Sequence, residues 1–154
     1  MRITCILLGA LVLAGCGSGV GTPSGSNVPP ESAPSAGGTI PPPAYIEFGE
    51  PGHWMSRSSS CWSSDGVAGC LDAASPANDP NLPELIVARD GTGRIHLGFD
   101  PSSAHLTIGG TRVPVHAGRT ITFTAHRPDL LLLDVRDHDH GSASYDARLR
   151  FARD

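Results

Sequence analysis

The run Asp137-His138-Asp139-His140 is the densest group of potential metal ligands in the chain. On an extended strand the two imidazoles would point to the same side, as two ligands of one zinc or copper ion must. The inward register of the preceding strand, however, is Leu131, Leu133 and Val135, and continuing it would bury two unpaired carboxylates at high cost. We therefore expect the strand to end near Arg136 and the run to form a solvated turn. Metal binding by His138 and His140 is the alternative.

Nucleophilic catalysis has little support in the sequence. The serine cluster Ser58-Ser59-Ser60 lies in no Gly-x-Ser-x-Gly elbow, and no motif marks a catalytic cysteine. A serine-rich segment of this kind is typical of a polar surface strand. We expect no enzymatic activity, and no motif implies a cofactor.

Cys61 and Cys70 are separated by nine positions and enclose Gly66 and Gly69. In an oxidising compartment this spacing predicts a disulfide that closes a short local loop. A chain-entropy estimate gives such a bridge roughly 2.5–3 kcal/mol of stabilisation. A metal site is the weaker alternative, because no second pair of cysteines or histidines stands nearby in the sequence.

Trp62 lies just inside the loop that this predicted bridge closes and Asp72 just outside it, and two interpretations stay open for them. An aromatic side chain beside a rigid loop could serve as a ligand platform. Alternatively, Trp62 packs over the disulfide and Asp72 caps a turn.

Cys16 ends the run Leu13-Ala14-Gly15-Cys16, which follows a short apolar segment behind Arg2. This pattern is a lipobox, where a signal peptidase cuts before a cysteine whose thiol carries diacylglycerol. The apolar stretch is about 11 residues, which suits a signal peptide and is too short for the ~20 residues of a transmembrane helix. We predict a signal peptide over residues 1–15 and lipidation at Cys16. The mature protein would then be held by its acyl anchor on the extracytoplasmic face of a cell membrane or outer membrane.

Residues 16–43 follow as a predicted linker, rich in glycine, serine and proline and ending in Pro41-Pro42-Pro43. Such a composition cannot bury enough apolar area to offset its ordering entropy. Residues 44–154 are long enough for one domain with a modest core. The formal net charge of −4 argues against nucleic acid as a partner, since phosphate binding requires clustered positive charge.

Three segments alternate apolar and polar side chains with the period of two that a half-buried strand shows. They are residues 94–100, 120–125 and 143–151. Their expected inward side chains are Ile95, Leu97, Phe99, Ile121, Phe123, Ala143, Tyr145, Ala147, Leu149 and Phe151. The opposite, polar face of the last segment carries Ser144, Asp146, Arg148 and Arg150.

Two continuous apolar runs, residues 85–87 and 130–135, predict more fully covered central strands, and residues 45–48 open the sheet. Gly109-Gly110 and Asp90-Gly91 are tight hairpin signals. The total is seven or eight short strands without a helical period. This pattern predicts an all-β, antiparallel, immunoglobulin-like sandwich.

The pairs Cys61-Trp62 and Cys70-x-Asp72, together with Gly141-Ser142-Ala143-Ser144-Tyr145, carry a family resemblance. They resemble the signature of small secreted bacterial lipoproteins of unknown function. The resemblance covers most of residues 57–152 and implies an immunoglobulin-like fold, an extracytoplasmic location and no established activity. It singles out Trp62, Asp72, Gly141 and Tyr145 as motif residues.

The expected function is that of a lipid-anchored, non-catalytic binding or structural module of the cell envelope. Its partners would be the membrane, through the acyl anchor, and an envelope protein or glycan. Contacts would come from loops at one end of the sandwich or from an exposed strand edge. The alternative is a metal-binding extracytoplasmic protein that uses the 137–140 turn.

Overall fold

The computed structural model describes residues 38–49, 51–72, 75–80 and 82–153. The predicted signal peptide, Cys16 and most of the predicted linker lie outside the described residues. No helix long and apolar enough to cross a membrane occurs in the described part of the chain. A 3₁₀ turn occupies Pro76–Asn78. The strands are Ala44–Glu47 (β1), His53–Trp54 (β2), Ser56–Ser64 (β3), Val67–Asp72 (β4), Glu84–Val87 (β5), Gly91–Leu97 (β6), Ser103–Ile108 (β7), Thr111–Val113 (β8), Thr120–Ala125 (β9), Leu130–Asp137 (β10) and Gly141–Phe151 (β11).

These strands form two sheets that pack face to face. The smaller sheet has the order β2-β1-β6-β9, and the larger has the order β4-β3-β11-β10-β7-β8, with β5 also paired to β11. All pairs are antiparallel except β5 with β11, which is parallel. The predicted all-β sandwich is confirmed, with one parallel pairing that the strand pattern did not indicate.

The strand order is that of an immunoglobulin-like domain. β1, β6 and β9 neighbour one another in one sheet, as strands A, B and E do, while β8, β7, β10 and β11 follow the order C′-C-F-G in the other. The β2–β4 segment is inserted between the first strand and β5. It adds the β3–β4 hairpin to the edge of the larger sheet, beside β11.

The core lies between the sheets and is built from the alternation that the sequence shows. Along β6, β9 and β11 the expected inward side chains are buried, except that Phe151 is half-buried. β10 lies between β11 and β7, which confirms the central position predicted for residues 130–135. The fully buried side chains include Ile46, Ile95, Leu106, Ile121, Leu131, Leu133, Tyr145 and Leu149.

Three details of the strand prediction are wrong. Eleven strands occur in the described residues, not seven or eight, because the predicted number left out β2, β3 and β4, although the serine-rich segment within β3 was expected to be a polar surface strand. β5 is an edge strand, not a central one, since it pairs only with β11 and leaves Ile86 73% exposed. Asp90, at φ 59°, lies in a turn, but this turn joins β5 and β6 of different sheets and makes no hairpin.

The end of the predicted linker packs on the domain. Pro41 is buried, and its carbonyl accepts a hydrogen bond of 2.6 Å from Nη1 of Arg57. The Pro42 carbonyl accepts a hydrogen bond from the hydroxyl of Tyr145, a buried residue of β11. Ordered contacts therefore begin before the boundary at residue 44 that composition indicates, because side-chain donors of the domain bind the carbonyl groups of Pro41 and Pro42.

Candidate functional site

The two cysteines of the sequence motif form a disulfide, as predicted, but within a β-hairpin instead of an irregular loop. Cys61 of β3 lies directly opposite Cys70 of β4, with their Cα atoms 4.1 Å apart. The hairpin turns at Asp65 and Gly66, whose φ angles of 52° and 77° are those of a type I′ turn. The pair Asp65-Gly66 is a hairpin signal that the sequence-based prediction missed. The bridge cross-links two paired strands and fixes their register.

Trp62 turns away from the disulfide. Successive residues of a strand point to opposite faces, and Trp62 joins the core with only 5% of its surface exposed. Its indole meets the Phe99 ring edge-on at a centroid distance of 5.0 Å and stacks on the His140 imidazole at 5.3 Å. Packing of Trp62 over the bridge is therefore wrong. Both of its ring contacts lie on the core side of β3, so its face is not free to serve as a platform.

Asp72 is the last residue of β4, lies opposite Ser59 and is exposed. Its backbone belongs to a strand, and the turn cap expected at Asp72 stays a prediction. β4 itself is the outer strand of the larger sheet and pairs only with β3. One side of its backbone is consequently without a neighbouring strand among the described residues.

Apolar side chains concentrate along this outer strand. Val67 and Leu71 lie on the same face of β4 as Gly69, against which Thr39 packs. Val67 is 60% exposed, Leu71 51% and the neighbouring Ile40 47%. We call Ile40, Val67 and Leu71, together with the unpaired backbone of β4, the β4 edge. Of the four exposed large apolar residues in the described chain, only Ile86 lies elsewhere.

A shallow cavity of about 270 Å³ adjoins the β4 edge. Its walls come from Ile40 and Pro42 of the N-terminal segment, from Trp62 and Phe99, and from the His140 imidazole. Ile40 and Pro42 belong to the predicted linker. The end of that linker is therefore part of the domain surface and not a free spacer between the domain and the membrane.

The Asp137–His140 segment is an ordered turn between β10 and β11. Oδ1 of Asp137 accepts hydrogen bonds from the backbone N–H groups of Asp139 and His140, each at 2.9 Å, and lies 2.7 Å from Nδ1 of His140. Burial alone would raise the pKa of Asp137, but these hydrogen bonds outweigh it and lower the pKa. Asp137 therefore acts as the organiser of the turn, and the expected end of the strand near Arg136 is confirmed to within one residue.

His138 and His140 share this turn, but their geometry differs from that of two ligands on one strand. His140 is held by Asp137 on one side and by the Trp62 ring on its face, while His138 is exposed. No group of three histidine, cysteine, aspartate or glutamate side chains suited to a metal ion occurs in the described ranges. Metal binding by the two histidines stays a prediction.

Gly141 and Tyr145, the other two motif residues, have structural roles. Gly141 adopts φ +127°, and a Cβ atom there would overlap the carbonyl oxygen of Cys61 on the neighbouring strand. Tyr145 is fully buried, which raises the pKa of its hydroxyl, and it donates to the Pro42 carbonyl. Gly141 therefore permits the close contact between β3 and β11, and Tyr145 anchors the N-terminal segment.

Asp146 is the chemically unusual residue that the sequence did not reveal. It lies on the polar face of β11, as expected, yet only 1% of its surface is exposed, and its Oδ1 atom has no hydrogen-bond partner. Burial raises the pKa of Asp146 to about 6; a hydrogen bond from Ser58 opposes the shift, and the charges of Asp134 and Asp79 add to it. Asp79, which follows the 3₁₀ turn, accepts a 3.3 Å hydrogen bond from Ser56, the register neighbour of Asp146. The connection between β4 and β5 thus covers a face that alternation alone assigns to solvent.

No protein-family model, curated protein or solved structure matches this chain.

Proposed function

We propose that this protein is a lipid-anchored, non-catalytic binding module of the cell envelope, and that it binds a protein partner along the β4 edge. The observation that carries the proposal is the placement of Ile40, Val67 and Leu71. Three of the four exposed large apolar side chains in the described residues stand on one strand edge and the segment beside it.

Such an edge supports binding through added strands. β4 has backbone N–H and C=O groups without a sheet neighbour on one side, and an extended peptide can pair with them. Val67 and Leu71 point to the same face, about 13 Å apart at ~3.3 Å per residue. A partner segment with apolar side chains at matching alternate positions would bury both. Backbone pairing would then supply affinity, and the two apolar contacts would supply register.

The disulfide contributes preorganisation. It joins the two strands of the hairpin at Cys61 and Cys70, so the edge is held in the extended geometry that pairing requires. Binding then costs less conformational entropy than it would on a free hairpin. The cavity beside Trp62 and His140 offers a depression for a partner side chain next to the same edge.

The envelope location is supported by the sequence. Cys16 stands at the end of a lipobox, and Cys61 and Cys70 form the kind of bridge that persists in oxidising compartments. Replacing Cys16 with Ala should block acylation and leave an unprocessed precursor. Membrane association is checked by detergent phase partitioning, and normal partitioning of the Cys16→Ala variant would contradict the anchor.

The proposed module is non-catalytic because the sequence has no nucleophile elbow and because the candidate catalytic side chains, His140 and the serines of β3, have structural surroundings. The imidazole of His140 lies against Trp62 and Asp137, and the serines of β3 lie along a strand. Each of these groups has a structural partner or surface position that explains its presence.

The test is photo-crosslinking at single positions in intact cells. A photoreactive amino acid at Leu71 should give a crosslink to one reproducible envelope protein, identified by mass spectrometry. The same amino acid at Thr122, an exposed position on β9 in the other sheet, is the matched control and should give no such product. A second variant, Val67→Asp with the probe kept at Leu71, should abolish the crosslink while leaving the melting temperature unchanged, since Val67 is exposed.

Three outcomes would contradict the proposal. These are equal crosslinking at positions 71 and 122, no effect of Val67→Asp, or a crosslink that joins only two copies of this chain.

A further inference from the structure

A second cavity, of about 250 Å³, lies between the edges of the two sheets, away from the β4 edge. One wall comes from the β7–β8 hairpin and the residues after it, and the other from the last part of β9 and the residues that follow. The floor is apolar: Ile108 is buried in the core, and Val113 and Pro114 continue its surface outward. The cavity is thus a gap where the sheets are not closed over the core.

The titratable side chains that line this cavity are all basic. Arg112, His126 and Arg127 line it, and no aspartate or glutamate does. His126 is paired with Asp90, at 2.8 Å between Nδ1 and Oδ1, but neither arginine forms a salt bridge with a described residue. The whole chain carries a formal charge of −4. Two guanidinium groups without a salt bridge among the described residues therefore line one apolar cavity of a chain whose net charge is negative, and the carboxylate of Asp90 lies beside them on His126.

One guanidinium is already oriented. Nη1 of Arg127 donates a 3.0 Å hydrogen bond to the hydroxyl of Thr111, which also lines the cavity. This contact joins the two walls and holds the planar group at the rim. A guanidinium presents parallel N–H donors that fit a carboxylate, and its charge is permanent.

From these features we infer that the cavity binds a small amphiphilic monocarboxylate, with the carboxylate between Arg112 and Arg127 and the apolar body on Ile108 and Val113. The cavity is smaller than the about 300–1,000 Å³ of sites for drug-sized ligands, so a short chain or single ring fits it. Both halves of such a ligand are required. A purely polar anion would make no favourable contact with the apolar floor, and a hydrocarbon would make none with the two arginines at the rim.

The probe is octanoate, titrated into the purified full chain and followed by NMR chemical shifts. We expect saturable binding with a Kd at or below about 1 mM, with shift changes at Ile108 and Val113. The neutral analogue 1-octanol has the same apolar chain without the charge, and it should bind at least tenfold more weakly. Raising the salt concentration from 50 to 500 mM should weaken octanoate binding, because screening reduces the attraction of exposed charges.

Two variants and a matched control test the arginines. Arg112→Gln and Arg127→Gln should each weaken octanoate binding at least tenfold. Arg112 is exposed, so its replacement leaves the fold intact, and an unchanged melting temperature checks this. Arg119→Gln removes an exposed arginine at the opposite end of β9, about 20 Å away at ~3.3 Å per residue, and should leave binding unchanged.

The inference is overturned by any of three results: no saturable octanoate binding, equal affinity for 1-octanol, or equal effects of Arg112→Gln and Arg119→Gln.

Discussion

Replacing Asp146 with Asn tests the most unusual electrostatic feature of the domain. Asp146 is 1% exposed, and its Oδ1 atom has no partner. Asn has nearly the same shape and no charge. Its amide N–H₂ group could donate toward the carboxylates of Asp134 and Asp79, which raise the pKa of Asp146. The substitution therefore removes a poorly placed charge without creating a cavity.

The magnitude follows from the pKa. Burial raises the pKa of Asp146 from 3.8 to about 6 in the folded protein. Between these values the unfolded chain has lost the proton and the folded chain still binds it, so the free energy of unfolding falls as the pH rises. At 1.36 kcal/mol per pH unit, the loss is about 3 kcal/mol and is complete above pH 6. Below pH 3.8 both states are protonated, and the cost of the charge disappears.

The assay is urea denaturation of both proteins at pH 4, 5, 6 and 7.5, followed by tryptophan fluorescence. The variant should be more stable than the wild type by up to about 3 kcal/mol at pH 7.5, with the difference shrinking toward pH 4. Asp100→Asn, which removes an exposed carboxyl group, is the control for a simple change in net charge. A difference that is the same at every pH, or a variant less stable than the wild type at pH 7.5, would refute the reasoning.

Three further predictions concern the hairpin and the last strand. Reduction of the Cys61–Cys70 bridge should lower Tm by about 10 °C or more, measured by calorimetry, because the bridge contributes about 2.5 kcal/mol by chain entropy. No shift would mean that the bridge adds nothing to the paired strands. Gly141→Ala should cost at least about 2 kcal/mol, because it adds a clash with the Cys61 carbonyl to the strain of a positive φ. Gly110→Ala, also at positive φ but without a contact, is the control, and an equal loss for both variants would show that no clash occurs. Tyr145→Phe should cost about 1 kcal/mol in urea denaturation and speed proteolysis at residues 38–43, since it removes the hydrogen bond to Pro42; unchanged proteolysis would show that this bond does not hold the segment.

The fold was predictable where a local pattern has one physical solution. Alternation along residues 120–125 matches β9 residue for residue, since only a strand places Ile121 and Phe123 on one buried face. The same argument gave the inward face of β11. Residues 85–87 show no alternation. The prediction of a central strand there was wrong, because a run of three apolar residues does not distinguish a central strand from an edge strand. Ile86 is exposed there because no strand beyond β5 covers it.

The candidate sites were predictable in their residues but not in their surroundings. The spacing of Cys61 and Cys70 was sufficient for the disulfide. The position of Trp62 was not, because its neighbours Phe99 and His140 come from distant parts of the chain. The end of β10 near Arg136 followed from the cost of burying carboxylates, yet the Asp137 hydrogen bonds that organise the turn required the folded backbone.

The sequence by itself therefore determined the sandwich, the disulfide and the inward faces of the long strands, because these depend on alternation and on the spacing of a few residues. Only the tertiary structure decided which polar positions lose contact with water and which apolar ones keep it. Asp146 is buried because the connection between β4 and β5 crosses its face, and Val67 and Leu71 are exposed because no strand lies beyond β4 in the described residues. Both outcomes are set by contacts between segments far apart in the chain, which a local pattern does not encode.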